Sequence, residues 1–251
     1  MGRGGIYCMD GQDIGSREVV CCKSGLPAWK RILDFTIIIF LSPGLVLLGL
    51  VVAALVKLGS PGPILFCQRR IGYRGRPFTC FKFRTMLTNA ETESHRNHTQ
   101  NLIKSNVPMV KLDTKKDPRL IPLGGLLRAS GLDELPQLIN VLRGEMSVVG
   151  PRPCIPYEYE LYEPWQRARF NAVPGLTGLW QVSGKNRTTF EEMVRFDIEY
   201  SQRLTLALDL KIILKTLPAI WGQYCDLRAG KQEEETAPAR ALGKSLQSYQ
   251  L

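Results

Sequence analysis

The longest hydrophobic pattern in the chain is the run from Phe35 to Val56, FTIIIFLSPGLVLLGLVVAALV, 22 residues without a charge. As one straight helix it would reach ~33 Å, about the thickness of a bilayer core. Ser42-Pro43-Gly44 sits in its middle. Pro43 removes a backbone donor and collides with the carbonyl of Ile39, so the pattern predicts a kink or break there. The Ser42 hydroxyl is the nearby donor for the freed carbonyl. Two half-helices of about two turns each are too short to cross separately. Lys30 and Arg31 precede the run, and Lys57, Arg69, Arg70 and Arg74 follow it. The positive-inside rule places both flanks in the cytoplasm, which a re-entrant hairpin satisfies and a single span does not. Asp10, Asp13 and Glu18 upstream, with no small-x-small site after the run, argue against a cleavable signal peptide.

The remaining pattern divides the chain. Residues 1–27 mix glycine and charge without a period and read as a loosely ordered lead. Residues 28–58 form the membrane helix, 59–229 a cytosolic body on the membrane surface, and 230–251 a mobile tail. Within the body, residues 64–84 read as two short strands joined by a turn at Gly72–Gly75. Residues 88–107 are polar and solvated. Leu123 to Arg143 is helical, interrupted near Gly131, with Pro136 suited to the first turn of a new helix. Tyr157 to Phe170 mixes aromatic and charged residues, as in a helix lying in the membrane interface or a half-buried core helix. Leu206, Leu210, Ile213, Leu217 and Ile220 share one helical face. Asp209, Lys211 and Lys215 exclude a second lipid span there, leaving a core or interfacial helix. The fold class is α+β, mostly helical: a monotopic membrane protein with a re-entrant hairpin broken at Ser42-Pro43, a short β-hairpin and interfacial amphipathic helices.

Charge narrows the partners. Lys and Arg number 33 against 23 acidic residues, a formal net charge of +10 over 251 residues. Such an excess points to anionic partners: nucleic acid, lipid headgroups or phosphorylated small molecules. The seven cysteines make no Cys-x-x-Cys pair, and the two histidines, His95 and His98, lie in a polar stretch. Reduced thiols in a cytosol-facing protein are the plain reading. Carboxylates are then the better candidates for chemistry. The densest cluster is Arg128 to Pro153, RASGLDELPQLINVLRGEMSVVGPRP. Adjacent Asp133 and Glu134 lie between Arg128 and Arg143, with Arg152 held between two prolines. The two acids either share a divalent ion, divide into nucleophile and metal ligand, or simply favour a helix N-terminus.

Several ordered blocks resemble one family. They are Lys30-Arg31 with Asp34, Ser42-Pro43, Ser60-Pro61-Gly62-Pro63, Gln68 to Gly72 and Lys82-Phe83-Arg84-Thr85-Met86. Asp117-Pro118-Arg119, Asp133-Glu134-Leu135-Pro136-Gln137, Val149-Gly150-Pro151-Arg152-Pro153 and Pro174-Gly175-Leu176-Thr177-Gly178 complete the set. Across residues 28–225 the chain resembles the monotopic polyprenyl-phosphate phosphoglycosyl transferases, the bacterial sugar transferase family. The resemblance implies transfer of a hexose-1-phosphate from a UDP-sugar to undecaprenyl phosphate, releasing UMP, in the initiation of polysaccharide or glycoconjugate synthesis. It implies Asp133 as nucleophile in a ping-pong exchange through a covalent aspartyl phosphosugar, and Mg2+ at Asp133 and Glu134. Cations must neutralise the charge when a carboxylate approaches a diphosphate, and Arg128, Lys82, Arg152 and Lys185 are the candidate phosphate or nucleotide contacts. Glucose or galactose is the implied sugar. Membrane phospholipid is a further partner, nucleic acid is not, and the resemblance alone allows a homodimer. The location implied is the cytoplasmic face of the bacterial inner membrane.

Two positions depart from the family pattern: Gly131, where a serine with a capping hydroxyl is usual, and Gly184-Lys185, where Gly-Arg is common. The additional N-terminal spans and further domain of large members have no counterpart here, so the chain reads as a catalytic core. The rival reading is a non-enzymatic, basic membrane-surface protein that binds anionic lipid or nucleic acid. It accounts for the charge and the apolar run but not for the Asp-Glu and Pro-Arg-Pro blocks.

Overall fold

The computed structural model describes residues 7–8, 26–87, 100–103, 105, 119–184 and 188–229, with residues 7–8 and 223–229 described by their backbone alone. The tail 230–251, both histidines, Lys185 and nearly all of the polar stretch 88–107 lie outside the described residues.

Helix α1, Ala28–Gly59, holds the hydrophobic run. It is the one described helix long and apolar enough to cross a membrane. The expected separation into two half-helices at Pro43 does not occur, because the backbone stays helical from end to end. The reason is local: the Ser42 hydroxyl donates to the Ile39 carbonyl at 2.8 Å, satisfying the acceptor that Pro43 leaves without an amide. Burial along α1 is confined to its ends, at Lys30, Asp34 and Ile38 and again at Val52 and Val56. None of the residues between Ile39 and Val51 is buried.

The hairpin appears as read. Strands β2 (Leu65–Ile71) and β3 (Pro77–Phe83) pair antiparallel, with Leu65 opposite Phe83 and Ile71 opposite Pro77. The turn closes through the Gly72 amide on the Arg76 carbonyl at 2.8 Å. Within the lead, β1, Tyr7–Cys8, pairs in parallel with Phe66 and Cys67.

Helix α2 (Gly124–Ser130) ends where Gly131 takes a left-handed φ of 73°. A 3-10 segment follows, Leu132–Gln137, and then α3, Leu138–Arg143. Pro136 sits inside the 3-10 segment rather than at the start of α3. Beyond it, β4 (Ser147–Val149) and β5 (Gly175–Thr177) pair in parallel. The two strands continue into a backbone crossing so close that a Cβ on Gly150 would lie 2.2 Å from the Val173 carbonyl oxygen. A Cβ on Gly175 would lie 2.0 Å from the Gly150 nitrogen. Only glycine fits on either side, which explains why both blocks carry one.

The stretch Tyr157 to Phe170 is not one interfacial helix. It forms α4 (Pro156–Glu160) and a 3-10 segment, Gln166–Asn171. Tyr162 and Phe170 are core residues, packed with Trp180, Phe190 and Val194. Burial of these rings outweighed the mixed polarity, so the half-buried alternative is the one realised. Short α5 (Leu179–Val182) leads to α6 (Phe190–Gln202), whose start is closed by a reciprocal cap between Thr189 and Glu192. In α7 (Leu206–Ala229), Asp209 and Ile212 face the body, and Thr216 bonds Thr177 of β5 at 2.7 Å. Most of the predicted apolar stripe points away from the body: Leu206, Leu210, Leu217 and Ile220 are exposed, as are Leu214 and Trp221, while Ile213 packs on the core cluster of Tyr200 and Ile212.

Candidate active site

The elements converge on one cleft. The hairpin contributes Arg70, Cys80 and Lys82; the 3-10 segment after Gly131 contributes Glu134 and Gln137. The loop beyond β4 supplies Arg152 and Pro153, and β5 with α5 supplies Gly175, Leu176 and Gln181. Three of the residues singled out in the sequence, Lys82, Glu134 and Arg152, therefore share a wall. The Lys82 ammonium donates to the Glu134 carboxylate at 2.7 Å. Asp133, next to it in the first turn of the segment, is buried.

Local sequence explains the placement. The left-handed Gly131 turns the chain after α2, and the Glu134 amide bonds back to the Gly131 carbonyl at 3.0 Å. Glycine adopts this left-handed conformation without strain, which suits it to the turn. Both acids occupy the first turn of a helical segment, where backbone amides favour negative charge. Arg128 lies on α2, before the turn, half-buried and outside the cleft lining.

Arg70, Gln137 and Gln181 line the cleft without having been singled out. Arg70 reads in the sequence only as one of many flanking cations. Its function-bearing signal is burial, since it donates to the Pro153 carbonyl at 3.0 Å and to the Gln68 side chain at 2.6 Å. The Gln181 amide nitrogen donates to the Leu176 carbonyl at 3.2 Å, and its buried oxygen has no hydrogen-bond partner among the described residues. Three cations against Glu134 give the lining a positive balance suited to a diphosphate. Burial pushes the Cys80 thiol up from its ordinary value, outweighing Lys82 and Arg70 nearby, so it stays protonated at neutral pH and is a poor nucleophile.

A second network ties α1 to the loop that carries Arg152. The Asp34 carboxylate accepts from the Ser147 hydroxyl at 3.0 Å and from the Val148 amide at 2.9 Å. Lys30 is ion-paired with Asp209 of α7 and donates to the Tyr200 hydroxyl at 2.9 Å. That hydroxyl lies 3.1 Å from the Val149 carbonyl. The Lys30 and Asp34 block is thus an anchor for β4.

The sequence profile of the bacterial sugar transferases matches residues 26–223. The chain belongs to that family. Among similar sugar transferases, the exopolysaccharide production protein ExoY of Sinorhizobium fredii is 43% identical over 196 residues, covering 76% of this chain and 84% of that protein. The UDP-glucose:undecaprenyl-phosphate glucose-1-phosphate transferase of Caulobacter vibrioides is 41% identical over 199 residues, covering 76% and 69%. The undecaprenyl-phosphate galactose phosphotransferase of Salmonella typhimurium is 38% identical over 165 residues, covering 63% and 33%. As a member of the family the chain is a sugar-phosphate transferase, which displaces the reading of a non-catalytic basic module.

No group of three or more His, Cys, Asp and Glu side chains gathers at metal-binding distance among the described residues. Magnesium does not need one. It keeps most of its waters and is commonly held by one or two carboxylates together with substrate phosphates. Glu134 lines the cleft beside cations for the same phosphates, with Asp133 buried next to it in the chain, and two adjacent carboxylates suit that kind of site.

Proposed function

We propose that this sugar transferase moves a hexose-1-phosphate from a UDP-sugar to undecaprenyl phosphate at a membrane surface, through a covalent intermediate on Asp133. The observation that carries the reading is the cleft itself, where Lys82, Arg70 and Arg152 line the wall with Glu134, the chain neighbour of the buried Asp133. A carboxylate oxygen of Asp133 forms a bond to the sugar-bearing phosphorus. The bond from that phosphorus to the UMP phosphate oxygen breaks, and UMP leaves with the electron pair. A phosphate oxygen of the lipid then attacks the same phosphorus, and Asp133 departs as a free carboxylate. Lys82 and Arg152 hold the diphosphate oxygens and offset the charge of anion approaching anion. Glu134, with Asp133, would hold magnesium, which supplies further charge neutralisation on the diphosphate. The sugar is glucose or galactose, the two hexoses in the names of the relatives.

Residues 28–58 serve as the membrane element and 59–229 as the catalytic domain on the cytoplasmic face. Packing supports a re-entrant path for α1. Ile38 packs with Val141 and Met146, against which Phe78 rests, while Val52 and Val56 pack with Phe83. Both ends return to one body, and the apolar middle between them stands clear of it. The exposed stripe of α7 adds a second apolar surface for lipid.

UMP release from UDP-glucose and UDP-galactose, measured with detergent-solubilised protein, magnesium and undecaprenyl phosphate, tests the reading. Release that requires lipid, magnesium and Asp133 supports it. Release undiminished in Asp133→Asn removes the assigned nucleophile.

A further inference from the structure

Arg152 has an unusually constrained backbone for a cleft cation. Pro151 and Pro153 have fixed φ, and Pro153 bars Arg152 from the helical region. Two buried guanidiniums then take successive carbonyls of the loop. Arg169, in the Gln166–Asn171 segment, donates Nη2 to the Arg152 carbonyl at 2.9 Å. Arg70 donates Nη1 to the Pro153 carbonyl at 3.0 Å.

Arg169 is only 2% exposed and does not line the cleft. Asp197 of α6, equally buried, pairs with it at 2.5 Å, and the Tyr162 hydroxyl accepts from its Nη1. The Tyr162 and Phe170 rings lie 5.5 and 5.7 Å from the guanidinium. A buried ion pair of this kind is seldom more stable than well-packed apolar residues of the same volume. The pair is therefore better explained by what it orients than by the stability it adds. Its Nη2 bond goes to the carbonyl of the residue whose side chain enters the cleft.

We propose that Arg169 is a positioning residue: held by Asp197 and Tyr162, it fixes the backbone of Arg152 so that the Arg152 side chain meets the diphosphate. This rests on the reading that gives Arg152 a phosphate contact. The planar fork of arginine reaches carboxylate, hydroxyl and carbonyl at once, which the single ammonium of lysine does not.

The test is a double-mutant cycle on the full-length enzyme, with UDP-glucose or UDP-galactose as donor. Arg169→Lys lowers kcat/KM by about 10- to 100-fold, the scale of an ångström-sized misplacement. In the Arg152→Ala background the same change costs less than about 2-fold, because nothing remains to be positioned. Equal losses from Arg169→Lys in both backgrounds overturn the positioning role while leaving the Arg152 phosphate contact intact. Normal kinetics in Arg152→Ala overturn the phosphate contact, and positioning with it. Should Arg169→Lys not fold, Arg70→Lys enters the same cycle through the Pro153 carbonyl, and additivity with Arg152→Ala again overturns the proposal.

Discussion

At the scale of single residues, the site is a set of charges in which each removal has a calculable direction. Asp133→Asn is nearly isosteric, so the protein is expected to unfold at a similar temperature while UMP release falls to background. Lys82→Met leaves Glu134 without its 2.7 Å partner and removes a cleft cation. Loss of turnover by about 100-fold or more is expected from a group that stabilises developing charge. Alkaline pH tests a different residue. Burial pushes the Cys154 thiol up from 9.0 to about 12. The unfolded chain ionises this thiol first, so the stability it contributes is complete below pH 9 and is lost as pH rises toward 12. The three-unit shift corresponds to about 4 kcal/mol at most. Thermal unfolding of the native enzyme and of Cys154→Ser between pH 8 and 11 should diverge, with the native enzyme losing more; parallel curves would show that the thiol titrates normally.

At the scale of elements, the crossing of β4 and β5 and the anchoring of α1 decide the fold. Gly150→Ala drives a Cβ into backbone that no rotamer change can move. A loss of at least about 1–3 kcal/mol and a displaced Arg152 loop are expected, read as a lower Tm together with weaker UDP-sugar binding. Lys30→Met strands the fully buried Asp209 carboxylate. Breaking such a pair costs about 3–5 kcal/mol, measurable by denaturation in detergent, and an unchanged Tm would show that the pair adds no stability to the fold. Much of this was legible. The hairpin with its Gly72–Gly75 turn and the interruption at Gly131 both follow from local turn chemistry, which the sequence encodes within a few residues. The stretch 157–170 did not, because Phe170 and Arg169 are placed by partners far along the chain. Continuous helix through Pro43 was likewise illegible as an outcome, although its cause, the Ser42 hydroxyl, was visible.

At the scale of the whole molecule, two apolar surfaces stand out: the middle of α1 and the outer face of α7. Neither is covered within the described chain. Leu214→Glu with Leu217→Glu leaves the core untouched, since both side chains are exposed. Such a variant should remain folded but sediment less with undecaprenyl-phosphate-containing vesicles, and unaltered sedimentation would show that α7 does not meet lipid.

The sequence by itself determined the family, the reaction class, the apolar helix and the paired acids, because each depends on residues that are neighbours along the chain. The tertiary structure alone decided which cations share the cleft. Arg70, Gln137 and Gln181 entered it and Arg128 did not, while Arg169 took up a place behind it. It also turned the apolar stripe of α7 outward. A helical period states that a face is hydrophobic but not whether protein or lipid will cover it. A buried arginine looks like any other arginine until the carbonyls it holds are brought to it from distant parts of the chain.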